Sequence, residues 1–209
     1  MAAIDLVAAF GSLKTGDLVL FGRRALVPRM PGWLGRPRWI HVGLILQPPA
    51  EPSPMLFEVA PGAADGTRLV PLRERLAHFA GHLAARCLDR PLDQARIDRL
   101  LALRRELAAR RVERNLFDLV GAGDEGWLGA REDNLFAPTA AELAAMAYQR
   151  IGLLDDPAHG GLPAGRYRPV DFAETHHLEL KQGYRLGPEL PLRPADAGRG
   201  RTGLTPQTA

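Results

Sequence analysis

The stretch W-I-H-V-G-L-I-L, residues 39–46, decides how this chain is read. Trp39, His41, Gly43 and Ile45 fall on one face of a strand, and Ile40, Val42, Leu44 and Leu46 on the other. Both faces are apolar apart from one imidazole, the pattern of a buried strand. An unsatisfied buried polar group costs about 1–3 kcal/mol, so His41 needs a partner. The next apolar run, M-L-F-E-V-A at 55–60, carries a single charge, Glu58. A symmetric hairpin between the two runs sets Glu58 near Gly43, diagonal to His41 on the same face. A carboxylate beside an imidazole orients the ring, which is the orienter and base of a catalytic triad. The plainer alternative is a core histidine satisfied locally and a strand-end glutamate facing water.

Working outward, G-D-L-V-L-F-G at 16–22 reads as a strand opened by a Gly-Asp turn. Residues 23–37, rich in Pro and Gly, read as a loop able to fold over a site. T-R-L-V-P-L reads as a further strand, and H-L-A-A-R-C-L-D as one that buries Cys87. Apolar positions Ile97, Leu100, Leu101, Leu103 and Leu107 predict an amphipathic helix over 92–110 with an arginine-rich outer face. A second helix is predicted over 139–154, where Thr139 and Glu142 have capping-box spacing and Gly152 stands near the end as a stop. Y-R-P-V-D-F-A-E reads as an ordered turn and Y-R-L-G-P-E-L-P-L as the last strand. The class is α+β with a mostly antiparallel sheet, a single domain over 1–193 and a disordered tail over 194–209.

Composition narrows the function classes. The chain has 209 residues, 46% hydrophobic and 24% charged, as in an ordinary globular protein. Its net charge is +3, but acidic and basic residues alternate along most of the chain, so no nucleic-acid partner is expected. No run reaches the apolar length of a membrane span, which leaves contact with a membrane surface open. The start, M-A-A-I-D-L-V-A-A-F-G-S-L-K, lacks the layout of a signal peptide, so the expected location is cytoplasmic, or outside by a signal-less route. The one cysteine, Cys87, allows no internal disulfide. His78 and His82 are four residues apart with nothing to complete a metal set, and no phosphate loop appears, so neither metal nor cofactor is expected. Ser12 and Ser53 lack a nucleophile-elbow context.

The order of these segments resembles the circularly permuted NlpC-type papain-like proteins, the YiiX-like relatives of lecithin–retinol acyltransferase. The resemblance spans roughly residues 13–190 and is carried by G-D-L-V-x-F, the W-x-H-V-G strand and the helix ending Y-Q-R-I-G-L-L. It implies a papain-like fold in which a helix opening Cys-Ser-Glu-Leu supplies a thiol nucleophile. His41 then matches the base, Glu58 the third member, and Glu142-Leu143 the Glu-Leu pair, so the nucleophile position falls on Ala140. Backbone N–H groups around Thr139 and Ala141 would line an oxyanion site. The implied activity is that of a cysteine hydrolase or acyltransferase acting on an amide or ester of a lipid, N-acyl or peptide substrate.

With alanine at 140 the chain as given is inactive by this route: an engineered Cys-to-Ala change or a natural pseudoenzyme. A shifted register, with Thr139 as a weak nucleophile, is the third explanation. Two other functions stand beside it, a non-catalytic lipid- or peptide-binding module and a peptidoglycan peptidase. Met30, Trp33 and Trp39 are the candidate substrate contacts, set against ordinary packing of the loop over the sheet.

Overall fold

The computed structural model describes residues 4–5, 11–22, 39–59, 66–121 and 139–193. The strands are β1 (Ile4–Asp5), β2 (Leu18–Gly22), β3 (Trp39–Leu46), β4 (Met55–Val59), β5 (Thr67–Pro71), β6 (His82–Arg86) and β7 (Leu190–Arg193). The helices are α1 (Leu72–Ala77), α2 (Gln94–Gly121) and α3 (Ala140–Arg150), followed by four short 3-10 turns. The strands form one sheet in the order β1-β7-β6-β2-β3-β4-β5. Six of them run antiparallel to their neighbours, and β1 adds to β7 in parallel. This is an α+β architecture with a mostly antiparallel sheet.

Both faces of the sheet are covered, and alternation along each strand sorts the side chains between two layers. Leu18, Leu20, Val42, Leu44, Leu46, Phe57 and Ala84 join one layer with Leu100 and Leu103 of α2 and the inner residues of α3. Val19, Phe21, Ile45, Leu56, Leu83 and Ala85 join the other with Leu72 and Leu76 of α1. The central strands are therefore apolar on both sides, which is why 39–46 shows no polar alternation.

The Gly-Asp opening of β2 has a steric and a polar cause. Gly16 sits at φ +100°, and a Cβ there would meet Leu92 Cδ1 at 2.7 Å. The Asp17 carboxylate accepts the Lys14 N–H at 2.8 Å and the Leu88 N–H at 2.9 Å, tying β2 to the chain beyond β6. The Tyr148 hydroxyl donates to the Gly16 carbonyl at 2.8 Å and fastens α3 to the same corner.

Several boundaries move. The helix expected over 92–110 runs Gln94–Gly121, and that expected over 139–154 is Ala140–Arg150. Thr139 and Glu142 form the full capping box, and Gly152 at φ +73° follows the helix end. Cys87 lies just beyond β6, half-buried. Helix α1 has no counterpart in the sequence reading, because six residues are too few to show a helical period. The loop 23–37, the tail 194–209, and with the loop Met30 and Trp33, lie outside the described residues.

Candidate functional site

The β3–β4 pairing joins Leu44 to Phe57, Ile45 to Leu56 and Leu46 to Met55. Carried on by one residue, this register sets Gly43 opposite Glu58. His41, two residues along, then reaches the carboxylate diagonally: Nε2 lies 2.7 Å from Glu58 Oε2. Gly43 leaves room for the Leu56 side chain, since a Cβ there would meet Leu56 Cδ1 at 2.7 Å. The Glu58 side chain is 0% exposed and that of His41 18%.

Two arginines complete the site. Arg68 donates to Glu58 Oε1 from Nε at 2.9 Å and from Nη2 at 2.6 Å. Arg75 donates to the same oxygen from Nε at 2.7 Å. Its guanidinium lies 4.6 Å from the centre of the Phe21 ring and 5.6 Å from that of Phe79, within cation–π range. Phe21 also meets the His41 ring edge-on, at 5.2 Å between centroids. Burial by itself raises the Glu58 carboxyl, but the bonds from His41, Arg75 and Arg68 outweigh it and hold the group at about 2. Glu58 is thus a carboxylate, which only accepts, so His41 Nε2 carries the proton that is donated. In the neutral ring the basic lone pair is then on Nδ1.

Arg68, which the sequence reading did not single out, was within reach of a cross-strand pairing argument: the β4–β5 register sets it directly opposite Glu58. Arg75 was not, because it comes from α1. Together they change what the dyad can do. An orienting carboxylate serves a catalytic base by stabilising the imidazolium, and here its single charge is divided among three donors.

The nucleophile position lies elsewhere. His41, Glu58 and Phe21 are on the α1 side of the sheet, whereas Ala140 packs into the α3-side layer. Strand parity separates them, so Ala140 does not stand beside the imidazole as the resemblance implies. Thr139 is committed as the N-cap: its Oγ1 accepts the Glu142 N–H, and its own N–H donates to Glu142 Oε2, each at 3.1 Å. That occupies the donor assigned to an oxyanion site and the hydroxyl assigned to a substitute nucleophile. Ala141, also placed there, is 1% exposed in the same layer.

Trp39 is corrected as well. A register shift between Phe21 and Gly22 pairs Phe21 with His41 but Gly22 with Trp39, leaving Ile40 as the extra residue of a bulge. The bulge turns Trp39 away from the His41 face into the α3-side layer, where it is 2% exposed. Its Nε1 donates to Glu189 Oε1 at 2.9 Å. It is a core residue, not a substrate contact.

His78 Nδ1 lies 2.8 Å from the Glu74 carbonyl within α1 and its cap, and His82 opens β6. Among the described residues no group of three or more His, Cys, Asp or Glu could hold a metal ion. Among the same residues no helix is long and apolar enough to cross a membrane. Neither a family model nor a curated protein matches this chain.

Proposed function

We propose that the chain is a non-catalytic binding module for a small lipid or peptide ligand, built on a permuted papain-like plan. The observation that carries this reading is the separation of His41 from Ala140 by the sheet, on opposite side-chain layers. Covalent acyl transfer needs a nucleophile within hydrogen-bond reach of its base, and the helix start provides neither a thiol nor that proximity. The likeness to NlpC-type proteins rests on segment order and on the G-D-L-V-x-F, W-x-H-V-G and Y-Q-R-I-G-L-L stretches, and a nucleophile at residue 140 is only implied by it.

A second reading is favoured by the His–Glu pair itself: a thiol hydrolase or acyltransferase that has lost its cysteine at 140. One experiment separates the two. In Ala140→Cys, the binding module gives a thiol that alkylates with iodoacetamide as an ordinary cysteine, with a pKa of about 8.5 and no response to His41→Ala. A thiolate formed well below that value, lost again in His41→Ala and accompanied by amide or ester hydrolysis, would restore the hydrolase.

A further inference from the structure

We propose that the cavity walled by residues 162–178 binds a small monocarboxylate with an apolar tail. The inference rests on the binding-module reading and names its ligand class. The cavity holds about 570 Å³, inside the ~300–1,000 Å³ span of small-ligand sites. It is formed by the 3-10 turns Ala164–Arg166, Pro169–Phe172 and Glu174–His176.

These turns are held against α3 and the core. Gln149 of α3 donates from Nε2 to the Leu162 carbonyl at 2.7 Å and to the Asp155 carbonyl at 3.0 Å. A Cβ on Gly165 would lie 3.5 Å from Glu142 Oε1, in ordinary contact with the first turn of α3. Phe172 is fully buried in the α3-side layer, and the Tyr167 ring leans on it at 6.0 Å.

The lining is cationic beside an apolar wall. Arg166 has no acceptor among the described residues, and it lines the cavity together with Arg168. The one carboxylate present, Asp171, accepts the Arg168 backbone N–H at 2.7 Å and lies 3.8 Å from Arg168 Nη2. Two guanidiniums, Arg166 and Arg168, less the Asp171 carboxylate leave one positive charge, which matches a monoanion. A guanidinium offers parallel N–H donors at the spacing of a carboxylate's two oxygens. Leu162 is 57% exposed, a large apolar side chain left open at the same cavity, with Leu178 and Tyr167 alongside. A guanidinium lacking an anion and a leucine lacking a cover, at one cavity, describe the two ends of one amphiphile.

Calorimetric titration of the full chain at neutral pH with octanoate, octanol and octyl phosphate tests this. Octanoate is expected to bind more tightly than octanol, and Arg166→Gln to weaken octanoate about tenfold or more while leaving octanol unchanged. Leu162→Ser, also at the surface, is expected to weaken both. Octanol binding as tightly as octanoate would make the cavity a merely apolar contact and overturn the proposal. So would tighter binding of octyl phosphate, an unchanged octanoate affinity in Arg166→Gln, or no octanoate binding. None of these outcomes depends on the reactivity of a residue-140 thiol, so this inference and the binding-module reading fail separately.

Discussion

Replacing Glu58 by glutamine removes one charge, keeps the shape of the side chain, and breaks the site at its centre. The carboxylate accepts four bonds, three from two guanidiniums and one from an imidazole, in a position closed to solvent. Its carboxyl is held at about 2 against an ordinary 4.5. That difference of about 2.5 pH units, at ~1.4 kcal/mol each, makes the ionised form worth about 3–4 kcal/mol to the fold. Loss of one member of a buried pair costs ~3–5 kcal/mol, and the partial exposure of Arg68 and Arg75 moves the expectation to the lower end.

The pH dependence has a definite sign. Because the folded pKa is depressed, the contribution is complete above the unfolded value of 4.5 and is lost as pH falls toward about 2. Urea unfolding of wild type and Glu58→Gln, repeated from neutral to acid pH, should give a stability gap of about 3 kcal/mol at neutrality that narrows steadily below the unfolded pKa. A gap under ~1 kcal/mol at neutrality, or one that stays constant into acid, would refute the argument that Glu58 is a buried carboxylate stabilised by its donors.

Two further outcomes follow from groups away from this site. Burial and the neighbouring Asp17 push the Cys87 thiol up to about 12, so alkylation of the native chain at mildly alkaline pH should be roughly 100-fold or more slower than in urea; equal rates would place the thiol in contact with solvent. Buried Arg86 donates to the carbonyls of Phe172, Leu186 and Gly187, joining β6 to the segments that precede β7. Arg86→Leu leaves those acceptors unpaired and should cost about 2–4 kcal/mol in chemical unfolding, whereas a cost under ~1 kcal/mol would show that water replaces the guanidinium.

Much of the local structure was legible in the residues. The period-2 arithmetic of 39–46 and 55–60 set Glu58 near Gly43 and within reach of His41 for a symmetric pairing, but the connection 47–54 does not fix the register, which the pairing of Leu44 with Phe57 decides. Thr139 and Glu142 announced the start of α3 through a contact spanning a single turn, and Gly152 its end. Apolar spacing likewise located α2, though not its length.

What the sequence could not reach was which side of the sheet each group occupies relative to elements far along the chain. The bulge at Ile40 reverses the parity of Trp39, and nothing in W-I-H-V-G-L-I-L marks where strand pairing will slip. Arg75 reaches Glu58 only because α1 folds back over the layer that carries it. Ala140 and His41 are about a hundred residues apart, and the face on which α3 docks is decided by how its buried residues, Leu143 and Tyr148 among them, fill the layer that also holds Leu44 and Phe57. Hydrogen-bond periodicity is local and is written residue by residue. The choice of sheet face is collective, a property of how two layers of side chains fill space, and only the tertiary structure decides it.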